Sequence, residues 1–152
     1  MGTVPRATNT QFAVAVHVLT YLAGVDRAVQ VSSDELAGSS NVNPVYVRRV
    51  LGPLRDAGLV RSRPGSRGGW ELGRPAAEIH LDEVWSIVQG ADRLLGLHGP
   101  NPQCPVGAGV QRVLEDVDRD VADAVRARLG RRTVADVVRD AIGERPLSRG
   151  AR

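Results

Sequence analysis

Apolar positions along the chain fall into helical stripes, interrupted once by a short alternating stretch. Phe12, Val16, Leu19, Leu22 and Ala23 recur at helical spacing and Gly24 supplies a stop, so residues 9–23 are predicted to form a nearly all-round apolar, buried helix. Ser32-Ser33-Asp34-Glu35 has the form of a capping box, in which a hydroxyl and a carboxylate three positions on satisfy free amides at a helix start. It opens a short helix to about Gly38. After Ser39-Ser40-Asn41-Val42 a second start appears, with Asn43 as cap and Pro44 at the first helical position, where a missing amide hydrogen costs nothing. Val47, Val50, Leu51 and Leu54 then fall at i, i+3, i+4 and i+7. That stripe turns inward and leaves Val45, Tyr46, Arg48, Arg49 and Arg55 toward the other faces. It carries the helix past Pro53 until Gly58 closes it.

Beyond Gly58 the period changes. Residues 59–63 read as a strand, 64–69 as a glycine-rich turn and Trp70-Glu71-Leu72 as the returning strand, which together make a β-hairpin. Leu81, Val84, Trp85 and Val88 restore the helical stripe, with Asp82 and Glu83 suited to the positive end of a helix that stops at Gly90. Glycine and proline from Ala91 to Gly109 mark a loop. Val110, Leu114, Val117, Val121 and Ala124 are spaced 4, 3, 4, 3. That is the seam of a coiled-coil-like helix running about 20 residues, or ~30 Å. Thr133 and Asp136 start a last short helix carrying Val134, Val137, Val138 and Ile142, and the end of the chain reads as a frayed tail.

The predicted fold is mainly α with a small β-hairpin wing: a winged helix-turn-helix domain joined to a long dimerisation helix. The expected organisation is the winged helix-turn-helix domain over residues 1–90, a loop bearing Cys104 over 91–109, dimerisation helices over 110–143 and a flexible tail over 144–152.

All 20 basic residues are arginine, and against 17 acids the net charge is only +3, so distribution matters more than the total. Residues 1–74 hold nine arginines against five acids, and within them residues 48–74 hold seven against two. The longest apolar run, Phe12 to Ala23, is interrupted by His17 and Thr20 and is shorter than the ~20 residues a bilayer crossing needs. No membrane partner and no secretion signal are expected, and a cytoplasmic location suits the cysteine count. With one cysteine, Cys104, the chain can form no internal disulfide and cannot supply several thiolates to one site.

Helix, turn, helix and basic hairpin is the order of a winged helix-turn-helix, whose second helix enters a major groove while the wing lies on an adjacent groove or backbone. Arg48 and Arg49 suit bidentate contacts with guanine or phosphates, Asn43 and Tyr46 can reach base edges, and Val45 can touch a thymine methyl. Arg61, Arg63 and Arg67, with Gly68 in the tight turn beside them, suit phosphates or a narrow minor groove; the hairpin has no acid before Glu71 to neutralise them. Double-stranded DNA and a second copy of the chain, paired along Val110, Leu114, Val117, Val121 and Ala124, are the expected partners. The alternative is a winged-helix module that holds a protein on the same surface. Cys104, just before the long helix, is the candidate thiol sensor. His17 and His98 stand at no ligand spacing, so neither a metal site nor an enzyme is expected.

The stretches Pro44-Val45-Tyr46-Val47-Arg48-Arg49-Val50-Leu51, Leu54-Arg55-Asp56-Ala57-Gly58-Leu59-Val60 and Gly65-Ser66-Arg67-Gly68-Gly69-Trp70-Glu71-Leu72, followed by a cysteine-bearing loop and a long helix, make the chain resemble the Rrf2 family of bacterial regulators, the IscR/NsrR/CymR type. The resemblance is close to full length. It implies a homodimer on a palindromic operator, usually repressing, with a sensor loop beside the dimerisation helix. Cluster-holding members carry three loop cysteines or other ligands, and here only Cys104 stands, so the chain resembles the cluster-free branch and no cofactor is expected. Where many family wings place an arginine before the first glycine, this chain has Pro64.

Overall fold

The computed structural model describes residues 10–25, 30–66 and 68–143. Arg67 and the tail assigned to residues 144–152 lie outside the described residues. Within them the chain order is α1 (Thr10–Gly24), α2 (Ser33–Ser40), α3 (Pro44–Asp56), β1 (Val60–Arg63), β2 (Gly69–Leu72), a 3-10 turn (Ala76–Glu78), α4 (Leu81–Gln89), α5 (Pro105–Leu129) and α6 (Val134–Ile142). β1 and β2 pair antiparallel, with Val60 opposite Leu72 and Arg61 opposite Glu71.

Local signals set the ends of α2 and α3. Ser32 Oγ accepts the amide of Glu35 at 3.1 Å to start α2. At its end Asn41 takes a left-handed conformation, and the amides of Val42 and Asn41 reach back to the carbonyls of Ala37 and Gly38. This double bond pattern closes a helix and fixes the turn that follows. α3 starts on Asn43 Oδ1, which accepts the Val45 amide at 2.8 Å, and ends in the same way at Gly58, whose positive φ a side chain would resist. The helix runs through Pro53 as the stripe requires, and Val47, Val50, Leu51 and Leu54 are all buried.

The described residues share one core. Val18 and Leu19 of α1, Leu36 of α2, Leu51 and Leu54 of α3, Leu59, Val60, Ile79, Val84 of α4 and Val134 of α6 are each fully buried. Each such side chain contributes about 1.5–3 kcal/mol of burial. The face of α1 differs from the expectation. Val14, Ala15, Val18, Leu19 and Leu22 are buried, Phe12, Val16 and Ala23 are half-buried, and His17 is exposed with Nε2 2.9 Å from Ser39 Oγ. Phe12 instead meets the Trp85 ring edge-on, 5.2 Å between centroids.

Two boundaries also move. The helix read from Val110 begins at Pro105, because proline suits the first helical position and the glycines after it sit in the first turns; residues 105–109 therefore leave the loop. α6, grouped by sequence with the dimerisation segment, packs on α1 of its own chain: Val134 is fully buried, with Val137 and Val138 against the same core. Its start is doubly tied. The amide of Val134 donates to Ile79 O and that of Leu81 to Arg132 O, both at 2.9 Å. Thr133 and Asp136 form the reciprocal capping box. The Thr133 amide, then the Arg139 guanidinium and the Thr133 hydroxyl, bring the Asp136 carboxyl down to about 2.

Candidate nucleic-acid interface

α2, the three-residue turn and α3 form a helix-turn-helix whose inner faces are buried and whose outer α3 face is open. Arg48 and Arg49 are exposed there, and neither makes an ion pair with a described residue. Val45, 57% exposed, stands beside them. Asn43 is exposed too, but its side-chain carbonyl is held by the cap, so its amide NH2 is the part left to donate outward. Tyr46 is half-buried and lines a cleft with Thr10, Gln11, Val88 and Gln89, a place between α1, α3 and α4 rather than wholly on the outer face.

The wing projects beside α3. Its strand register puts Arg61 and Arg63 on one face with Glu71 between them, 3.7 Å and 3.6 Å from the two guanidinium groups. The expectation of unneutralised charge is therefore corrected: a cross-strand carboxylate offsets part of it. Both arginine side chains stay about two-thirds exposed, at 66% and 67%, so their outer nitrogens remain available, and ion pairs this open are weak. A side chain at Gly68 would collide with the Arg63 carbonyl, so glycine at that position is what lets the turn close.

α5 has 25 residues, about 37 Å, and none of them is buried. Of the six exposed large apolar residues among the described ones, five are valines on this helix: Val106, Val110, Val113, Val117 and Val121, 37–72% exposed. Spaced 4, 3, 4 and 4, they make one stripe with Ala124 at its end. Val106 and Val113 were missed by the sequence reading, which took Leu114 as a seam residue. Leu114 is half-buried, on the side where its own chain covers the helix. There Arg93 pairs with Glu115 at 3.3 Å, and the Leu95 amide donates to Asp118 Oδ1 at 2.7 Å. Bonds from Gln111 and Arg93 hold the Glu115 carboxyl below the usual carboxylate range.

Cys104 is half-buried as the N-cap residue of α5, its amide donating to Asn101 O at 3.1 Å, while His98 is exposed in the preceding loop. Among the described residues no three His, Cys, Asp or Glu side chains gather as metal ligands, and no helix is long and apolar enough to cross a membrane.

Comparison with known proteins fits this geometry. The family described as Rrf2, iron-dependent transcriptional regulator, matches residues 8–140. YwnA of Bacillus subtilis (strain 168), assigned by name to the HTH-type transcriptional regulators, is 36% identical over 127 residues, 83% of this chain and 92% of YwnA. A solved structure from Lactobacillus plantarum, described as a transcriptional regulator, superposes with a TM-score of 0.73 at 29% identity, over 86% of this chain and 88% of the other. The structure of CymR, the global cysteine regulator of B. subtilis, matches in fold with a TM-score of 0.65 at 24% identity, over 93% of this chain and 99% of CymR.

Proposed function

The chain belongs to the Rrf2 family of transcriptional regulators, and from that membership we propose that it is a homodimeric repressor that reads a palindromic operator with α3 and grips the flanking backbone with its wing. The observation that carries this reading is the outer face of α3. Arg48 and Arg49 project from it without an acidic partner among the described residues, in a fold whose second helix is built to enter a major groove. Arginine offers G O6 and N7 two parallel donors, and Val45 offers an apolar contact to a thymine methyl. The Asn43 amide adds a donor at the helix start, and Tyr46, half-buried at the edge of the same helix, is the further candidate for a base-edge contact. Arg61, Arg63 and Arg67 supply phosphate contacts, with affinity rather than sequence choice as their product.

Two copies are needed because a palindrome has two halves. The valine stripe on α5, extended by Ala124, is the surface assigned to that pairing, and a two-fold axis across it would bring stripe against stripe. A dimer seated over a promoter excludes polymerase, which makes repression the direct outcome.

The iron in the family's description does not fit the side chains of this chain. A cluster needs several soft donors, whereas there is one cysteine, the N-cap residue of α5, and among the described residues no three His, Cys, Asp or Glu side chains gather as metal ligands. We therefore assign the chain no cluster. Cys104 is the thiol through which the regulator would respond to oxidants or electrophiles, since modification there acts on the first turn of the pairing helix. Selection of bound fragments from the parent genome, with reduced and oxidised protein compared, tests target and switch together. Recovery of one palindrome with steep salt dependence is expected. Binding to no duplex would overturn the reading in favour of a protein-holding module.

A further inference from the structure

The wing is fastened at two heights. At its base the Gly73 amide donates to Leu59 O at 2.9 Å, next to the end of α3. Higher up, Trp70 exchanges backbone bonds with Val31, at 2.7 Å and 3.3 Å, which adds a one-residue third strand to the hairpin. Val31 is fully buried and cannot follow the wing if it moves. A side chain on Gly69 would sit 2.7 Å from the Val31 carbonyl, so glycine there permits the approach. The indole then makes its own bond, Nε1 donating to Ser33 Oγ at 3.0 Å. Ser33 is the first residue of α2, and the capping of that helix is done by Ser32. The Ser33 hydroxyl is thus free of the helix's own needs and serves the wing.

Two fixed points at different heights set an angle, whereas one would leave a hinge. A two-stranded ribbon alone is pliant. From Gly73 to Gly69, opposite Arg63, is four residues, about 13 Å at strand rise. A swing of about 10° at the base would therefore carry Arg63 about 2 Å, enough to lose a hydrogen bond to a phosphate.

We propose that Trp70 and Ser33 are positioning residues for DNA binding: their bond locks the upper Trp70–Val31 bridge and thereby holds the pitch of the wing against the α2–α3 pair, so that Arg61 and Arg63 meet the backbone when α3 is seated in its groove. The proposal rests on the DNA-binding reading above and goes beyond it in assigning the wing's orientation to a bond outside the contact surface.

The test is a double-mutant cycle on the selected operator duplex, read by fluorescence anisotropy with full-length protein. Trp70→Phe keeps an aromatic ring and removes the N–H; Ser33→Ala removes the acceptor and is mild enough to fold if the first variant does not. Each should weaken binding about 3–10-fold, and the two together should be no worse than either. Trp70→Phe should be strongly non-additive with Arg61→Ala and additive with Arg48→Ala, a split that a general loss of stability would not produce. Without DNA, hydrogen exchange should rise at wing amides in both variants and stay unchanged in α3. Unaltered affinity, or additivity with Arg61→Ala, would overturn the assignment while leaving the DNA-binding reading intact. A wild-type protein that binds no duplex overturns both.

Discussion

Replacing Val113 by aspartate should take the two long helices apart. Full burial of a valine side chain is worth about 1.5 kcal/mol, and at exposures of 37–72% the five stripe valines have roughly half of that still to gain, ~0.8 kcal/mol each. Ten of them in a symmetric pair give ~8 kcal/mol, the same order as the ~4–15 kcal/mol that association costs in lost freedom. The seam has little to spare. Val113→Asp removes its share from both helices and sets two carboxylates into a closing apolar surface, each at a penalty of several kcal/mol after relaxation. A total of at least ~4 kcal/mol, about a thousandfold in the dimerisation constant, is expected. Sedimentation velocity at micromolar protein checks it: wild type as a dimer, the variant as a monomer with unchanged helical circular dichroism, since Val113 is 61% exposed in the single chain. Leu114→Ala is the control. Half-buried in its own chain, it should lower the melting temperature more than it shifts association. A Val113→Asp protein that remains a dimer at low micromolar concentration, or a Leu114→Ala protein that dissociates while Val113→Asp does not, would refute the assignment of the stripe.

Arg48→Ala and Arg49→Ala should each weaken operator binding by ~1–3 kcal/mol and relax base preference at one position, measured by competition against single-base variants. Glu71→Gln, which releases Arg61 and Arg63 from their cross-strand partner, should raise affinity for all duplexes and steepen the dependence on salt; an unchanged salt slope would argue that the wing does not touch phosphates. The Asp136 carboxyl titrates near 2 against an ordinary 3.8, so its contribution to stability is complete above about pH 5 and is withdrawn as pH falls toward 2. Asp136→Asn should flatten that acid limb in urea midpoints taken across the range. Reconstitution with ferrous iron and sulfide under reducing conditions should give no cluster absorbance, and chelator should leave DNA binding unchanged.

The parts of the fold legible in the sequence were those with local chemical causes. Ser32, the Asn43-Pro44 pair and Gly58 each satisfy or terminate a helix end by themselves, so α2, its turn and α3 could be placed before any packing was known. The buried face of α1 could not, because a helix apolar on nearly every side carries no pattern to choose between faces; α3, α4 and α6 choose it. The same limit explains Leu114 and Val113, adjacent apolar residues whose roles divide only when the loop bonds to Glu115 and Asp118 show which side of α5 is covered. Glu71 was visible in the sequence, but its effect on Arg61 and Arg63 depends on strand register. The tether between Trp70 and Ser33 joins residues 37 apart, a separation no periodicity encodes.

The seating of α6 against α1 has a consequence for how the molecule is made. Val134 is fully buried in the same core as Val18 and Val84, so the helix-turn-helix unit is finished by side chains that follow the long helix α5 in the chain. On the ribosome, the helix-turn-helix and wing emerge before α6 and lack a wall until it arrives. A fragment ending at residue 90 should accordingly behave as a loosened, sticky intermediate rather than a free-standing reader, and the regulator becomes competent only once α6 has been made and has docked.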